Sequence, residues 1–317
     1  MRLTSSLPLV ALVTSALLAL GGCQPGSYQE SKLPETLAGD RAELSDVTFL
    51  ENPRDYVGAS TALLGPLTLT PLVSKPAQEL PVVVDSDELG EPLSVTVSST
   101  KRLLALDMSG SLAAMVWALG FGENLVGRDI STTFPGSDEL PVVTGSGHAI
   151  SPESVLALRP DLIITDGTIG PLDVVLQLRE AGIPVVFVRE TPGLSAPAAM
   201  ATSLGEILGV AELGVELATS LTASISSVTA VIAEKAPQAQ ADKLRMVFLY
   251  LRGGNGVYYL FGEESGSGDL IEALGGIDIA TETGWTGLRP MTDEALVAAN
   301  PDLILVMSEG LASVGGV

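Results

Sequence analysis

The sequence predicts an α/β protein of two Rossmann-like lobes joined by one long backbone helix, with a ligand cleft between the lobes. Three observations carry this prediction. Strand-like and helix-like segments alternate over residues 81–188, the pattern of a parallel sheet covered by helices. One supersecondary unit occurs twice, at an offset of 141 residues measured from Pro160 to Pro301. Between the copies, residues 197–235 are small and apolar with few helix breakers. As a helix this stretch would run roughly 50–60 Å, too long for a crossover inside one small lobe.

The elements follow in chain order. Residues 1–22 form a signal segment, in which Arg2 supplies a short basic start and residues 7–20 an apolar stretch of 14. That stretch is short for a membrane span and has the layout of a secretory signal. Its end, Leu20-Gly21-Gly22-Cys23, resembles a bacterial lipobox, whose Cys becomes the lipidated first residue of the mature chain. The plainer alternative is an ordinary signal followed by a free thiol. Residues 23–80 read as a polar tether that gives way to an irregular, Pro-rich segment, and after residue 23 no stretch reads as a membrane span.

The N-terminal lobe covers residues 81–190. Pro81-Val82-Val83-Val84-Asp85 and Leu93-Ser94-Val95-Thr96-Val97 flank a polar turn and predict a hairpin. Residues 102–106 predict a buried strand, 111–119 a helix stopped by Gly120, 172–181 a helix and 185–188 a strand. The inter-lobe helix occupies 191–236 and the C-terminal lobe 237–317. In each copy of the repeat a hydroxyl residue (Ser151, Thr292) caps a helix, and an acidic residue (Glu153, Glu294) lies in its first turn, where the helix dipole favours it. A Pro then ends the helix and an apolar strand follows. Beyond Pro301-Asp302 the sequence shows only loop residues where the first lobe has a further helix and strand, so the second lobe reads as incomplete.

Composition narrows the function. Acidic residues number 38 against 16 basic, a net charge of −22, so a nucleic-acid partner is excluded. One Cys allows no internal disulfide and no thiolate zinc site, and one His allows no multi-imidazole metal cage. The loop Asp107-Met108-Ser109-Gly110 is no dinucleotide fingerprint, and no Gly-x-Ser-x-Gly elbow accompanies the His, so the chain does not read as an enzyme.

The lipobox, the tether and the repeated Glu-x-x-x-x-Ala-x-x-Pro-Asp-Leu-Ile pattern resemble the substrate-binding lipoproteins of the cobalamin, siderophore and haem group of ABC transporters. The resemblance covers about residue 95 to the end. Within the group the sequence is most similar to the HmuT-like haem-binding lipoproteins, on three strings: Val126-Gly127-Arg128-Asp129-Ile130 and the residues after it, Gly145-Ser146-Gly147-His148, and Tyr250-Leu251-Arg252. The resemblance implies that haem is the transported ligand, held by His148 of one lobe and Tyr250 of the other. It implies delivery to an ABC permease dimer with its ATPase, from a lipid anchor on Cys23 at the outer face of the cytoplasmic membrane. It also implies that Glu153 and Glu294 dock on Arg residues of the permease; the helix dipole alone is the alternative reason for their placement.

The residues themselves are compatible with that chemistry. His148 sits in a Gly-flanked loop three residues before a helix cap, where a flat ligand has room to approach. Imidazole and phenolate are both known axial donors to haem iron. A phenol ionises near pH 10, and Arg252, two residues along and on the same face of a continuing strand, would favour the phenolate. Taken without the resemblance, a lone loop His is more often a surface residue and a Tyr-x-Arg on a strand more often ordinary packing. The offset pairs His148 with Arg289, which makes Arg289 a candidate for a haem propionate. Trp285, Leu288 and Met291 are candidates for apolar cover, with packing within the lobe as the alternative for Trp285. Tyr258 and Tyr259 read as a hairpin strand or as cleft lining. The alternatives for function are a siderophore or corrinoid (cobalamin) binder of the same transporter class, or a structural envelope lipoprotein.

Overall fold

The computed structural model describes residues 44–62, 68–88, 91–189, 192–251, 253 and 258–316. The signal segment, Cys23 and Arg252 lie outside them. All the described residues belong to the compact unit Thr36–Val317.

A hairpin opens the first lobe. β1 (Val82–Glu88) pairs antiparallel with β2 (Glu91–Val97). β3 (Leu103–Leu106) leads into α1 (Ser111–Val116), whose end widens into a π-type turn over Trp117–Phe121 around Gly120, at φ 92°. Then come α2 (Pro152–Leu158), β4 (Leu162–Thr165), α3 (Leu172–Glu180) and β5 (Val185–Phe187). Strands β3, β4 and β5 form a parallel sheet in that order, and every residue in them is buried. Continuous apolar strands are what a sheet covered on both faces requires. Leu103, Ala105, Leu162 and Ile164 pack against α1 and α4 (Ala196–Ile207), while Leu104, Leu106, Ile163 and Val185 pack against α2 and α3. The hairpin lies alongside β5, where the buried Ser86 hydroxyl accepts the Phe187 amide at 2.9 Å.

The helical stretch expected as one element is two. After α4 the chain turns at Gly209 (φ 68°) and continues as α5 (Ala211–Lys235), 25 residues or about 38 Å. The two helices cross where Gly205 and Gly214 meet; a Cβ at Gly214 would stand 2.8 Å from the Gly205 Cα, so only glycine allows the approach. By length and composition α5 is able to cross a membrane, which the sequence reading overlooked. Its Gly214 and Leu217 are buried, however, and Leu217 belongs to the core of the first lobe.

The second lobe contains β6 (Arg245–Leu251), β7 (Tyr258–Leu260), α6 (Ser267–Ala273), β8 (Ile277–Asp278), α7 (Ile279–Thr283), β9 (Arg289–Met291), α8 (Asp293–Ala299), β10 (Leu303–Val306) and α9 (Ser308–Ser313). The sheet runs β10-β6-β7-β9, with β8 also on β6; β6, β8 and β10 are parallel and β7 is antiparallel to its neighbours. Its core is Val247, Leu249, Leu260, Ile279, Ala280 and Met291. A short helix, α9, stands where only loop residues were expected.

The repeat recurs in its capping hydrogen bonds and its helix ends. Ser151 Oγ accepts the Ser154 amide at 3.3 Å and Thr292 Oγ1 the Ala295 amide at 3.2 Å. Both helices end on a left-handed residue, Arg159 (φ 48°) and Asn300 (φ 46°), 141 positions apart like the caps. In each lobe the Asp after the Pro donates its amide, at 2.8 Å, to the Arg at the start of the lobe's first parallel strand: Asp161 to Arg102 O, just before β3, and Asp302 to Arg245 O, the first residue of β6. That Arg folds back onto the helix end. Arg102 donates to Leu158 O (2.6 and 2.9 Å) and Arg159 O (3.2 Å), and Arg245 to Ala299 O (2.6 Å) and Asn300 O (3.0 Å).

The irregular segment before the hairpin lies against both lobes. Arg54 donates to Ala241 O (2.8 Å) and Lys243 O (2.6 Å) and pairs with Asp302 in the second lobe. Further along, the Trp117 indole donates to Leu69 O, and Gln78 donates to Leu208 O.

Candidate functional site

In open α/β sheets ligands bind beyond the carboxyl ends of the strands, and the predicted ligands stand there. The loop bearing His148 precedes α2 and is tied to the segment after β4 by the Ile150 amide on Gly170 O at 2.8 Å. The sequence permits the loop because Gly147 (φ 71°) and His148 (φ 59°) both take left-handed backbone, unusual for the His. The turn closes through the His148 amide on Gly145 O and the Gly145 amide on Ala149 O.

The His148 side chain is 19% exposed, and its Nδ1 lies 3.1 and 3.2 Å from the two oxygens of Asp129. Asp129 is fully buried. It also accepts the Ser131 amide (2.7 Å) and the Thr144 hydroxyl (2.6 Å), and that hydroxyl accepts the Ile130 amide at 3.1 Å. Nε2 is the ring atom left for a ligand. Asp129 was not singled out from the sequence, although it lies in a string that carried the resemblance. The available signal was a lone acid in that string, 19 positions before the only imidazole.

Two more carboxylates stand at this edge of the first lobe. Asp107, after β3, caps α1 by accepting the Ser111 amide at 2.9 Å and the Leu112 amide at 3.1 Å. Asp166, after β4, has its pKa raised by burial and by the nearby Asp107 charge, against the lowering effect of the Thr168 hydroxyl at 2.6 Å and its amide.

Tyr250 lies at the carboxyl end of β6 and is half-buried. The core-facing residues of that strand are Val247 and Leu249, so alternation turns Phe248 and Tyr250 to the other face. There Tyr250 meets Phe261 edge-on, with ring centroids 6.1 Å apart, and Phe248 meets the same ring at 5.4 Å. Tyr259 opposes Tyr250 in the β6–β7 register and shares its face.

Tyr258 and Met291 leave the cleft set. The Tyr258 ring packs on the core of its lobe and its hydroxyl donates to Asp293 at 2.5 Å. Burial first, then that bond and the Asp293 and Glu294 charges, push its pKa up to about 12, so the phenol stays protonated. Met291 is buried among Val247, Leu249 and Ile279, because its position equals that of Ile150, which is core in the first lobe. Trp285 packs partly on the same core, as its alternative reading allowed. Arg289 is exposed; its guanidinium lies 5.6 Å from the Trp285 ring and donates to Thr286. Leu288 is 50% exposed. Glu153 and Glu294 are exposed in the first turns of α2 and α8, with no ion pair among the described residues.

Two cavities lie away from these residues. One, about 690 Å³, is bordered by β1 and the α4–α5 turn; the other, about 700 Å³, lies under the segment around Arg54.

Known proteins resemble this chain in family pattern, in sequence and in structure. The periplasmic binding protein family model matches residues 108–314. The uncharacterised ABC transporter substrate-binding lipoprotein YvrC of Bacillus subtilis is 27% identical over 229 residues, 71% of this chain and 68% of that one. A cobalamin-binding protein of Halobacterium salinarum is 28% identical over 211 residues, but the chain spans only 54% of its length. Among solved structures, the haem-binding protein HmuT is 37% identical with a TM-score of 0.75 over 84% of each chain. HmuT has also been solved as single alanine variants of a histidine, of a tyrosine and of an arginine two positions after that tyrosine. The haem-binding protein RhuT of Roseiflexus sp. RS-1 in apo form is 32% identical, with a TM-score of 0.60 over 68% of this chain and 80% of its own.

Proposed function

The chain belongs to the periplasmic binding protein family, and within it we propose that it captures haem outside the cell and hands it to an ABC permease. Its fold is that of the HmuT-like members, and its relatives are transport proteins that bind a substrate rather than convert it. The observation that carries the haem reading is the placement of one imidazole and one phenol. His148 and Tyr250 stand at strand carboxyl ends of different lobes, in the residue types that HmuT has been probed at.

In this reading His148 offers Nε2 to one face of the iron and Tyr250 offers its phenolate to the other. Ferric iron favours the anionic oxygen, and Arg252 stabilises the phenolate by a charge-assisted bond. Tyr259 and Phe261 flank the macrocycle on the Tyr250 side, and Arg289 is the candidate partner for a propionate. Glu153 and Glu294, one exposed carboxylate per lobe at equivalent positions, meet the permease. Lipidation of Cys23 holds the protein at the membrane.

The similarity to a cobalamin-binding protein supports a second reading, in which a corrinoid fills the same cleft. Titration of the purified protein with haemin and, separately, with cyanocobalamin decides between them. A saturable Soret band at one haemin per chain, with no response to cyanocobalamin, supports the first reading; the reverse result replaces it with the second.

A further inference from the structure

The hydrogen bonds around Asp129 determine which nitrogen of His148 carries the proton. The Ser131 amide can only donate, and it gives its hydrogen to Asp129 Oδ1 at 2.7 Å. The Thr144 hydroxyl accepts the Ile130 amide, which leaves its own hydrogen directed at Asp129 Oδ2, 2.6 Å away. Both oxygens of the buried Asp129 carboxyl therefore face donors and act as acceptors. With both oxygens accepting, the 3.1 Å contact to His148 Nδ1 calls for a hydrogen on that nitrogen.

We propose that Asp129 is a positioning residue that keeps a ring hydrogen of His148 on Nδ1 and turns Nε2 to the ligand. The part of this inference that concerns haem rests on the function proposed above; the tautomer itself does not. The carboxylate also clamps the ring of a residue whose left-handed backbone, φ 59°, would otherwise be free to relax. By drawing on the Nδ1 proton, Asp129 makes Nε2 a stronger donor to the metal. Thr144 serves the same end by orienting Asp129.

The chain holds a single His, so the ring gives one set of nitrogen signals. Long-range ¹H–¹⁵N NMR of the ligand-free 317-residue chain, at mildly alkaline pH, should show Nδ1 protonated and Nε2 bare. Asp129→Asn should let the Nε2–H form appear, and Thr144→Val should shift the balance the same way by less, which keeps the test available if the first variant folds poorly. An Nε2–H ring in the unmodified chain overturns the proposal. In haemin titrations Asp129→Asn should weaken binding by about ten- to a hundredfold and raise the ferric/ferrous midpoint, and in a His148→Ala background it should do neither. Asp129→Asn with unchanged affinity and midpoint, where His148→Ala lowers affinity, overturns the positioning role and leaves the haem reading intact. Haemin binding that ignores His148→Ala overturns the ligand reading, and the NMR result still decides the tautomer.

Discussion

Replacing Arg245 by Ala tests the strongest structural claim of the repeat, that one arginine per lobe fastens the end of the repeated helix. The Arg245 guanidinium donates to Ala299 O and Asn300 O at 2.6 and 3.0 Å and to Glu282 at 2.9 and 3.2 Å, with its side chain 32% exposed. A buried charge-assisted bond contributes about 1.5–3 kcal/mol, but water replaces part of this at a half-exposed site. The Glu282 pair adds at most about 1 kcal/mol. The net expectation is a loss of about 1–2 kcal/mol. Arg102→Ala, where the side chain is exposed and the partners are Leu158 O and Arg159 O, should cost about 1 kcal/mol, in line with a cation at a helix C-terminus. The two sites share no partner, so the double variant should lose the sum. Urea unfolding followed by far-UV circular dichroism reads each value. An Arg245→Ala variant as stable as the parent, alongside a destabilised Arg102→Ala, would refute the equivalence of the two units.

The remaining predictions concern the surface, the phenols and the anchor. Glu153→Ala combined with Glu294→Ala should leave haemin affinity unchanged and lower haem uptake by cells carrying the cognate permease; loss of haemin binding in a folded variant would show that these carboxylates are misassigned. Tyr258→Phe should leave the spectrum of bound haem untouched. Because folding raises the Tyr258 pKa from 10 to about 12, its contribution is full below pH 10 and disappears as the pH rises through 12. The Phe variant should therefore lose less stability than the parent across that window, as alkaline unfolding curves will show. Cys23→Ala should release the protein from the membrane fraction or leave its signal segment uncleaved, as fractionation and mass spectrometry of the N-terminus will report.

Much of the architecture was legible because it is written in local chemistry. The hydroxyl caps, the first-turn acids and the Pro-Asp-Leu-Ile strands each dictate a backbone state within a few residues, and both copies adopt it. The break between α4 and α5 was harder to read. Gly209 sits among helix-compatible neighbours, and its turn depends on contacts far away in sequence, among them the Glu79 amide on Gly209 O at 2.9 Å. The same holds for the segment around Arg54, whose partners lie nearly 190 residues further on. Within the site, His148 stood out as the only imidazole, whereas Asp129 is one acid among 38 and gains meaning only when the fold brings it to the ring. Met291 was misread because an apolar residue two positions after the candidate propionate partner Arg289 looks like ligand cover until the strand shows which face it takes. Tyr258 and Tyr259 are neighbours that a strand turns to opposite faces, one to Asp293 and the other beside Tyr250.

The central claim is that one imidazole and one phenolate, from different lobes, hold the iron. Electron paramagnetic resonance and resonance Raman spectra of the ferric haem complex, compared among the unmodified chain, His148→Ala and Tyr250→Phe, test it directly. Each single variant should change the spectrum in its own way, with loss of the iron–phenolate vibration in Tyr250→Phe alone. A Tyr250→Phe complex whose spectrum matches the parent would contradict the account.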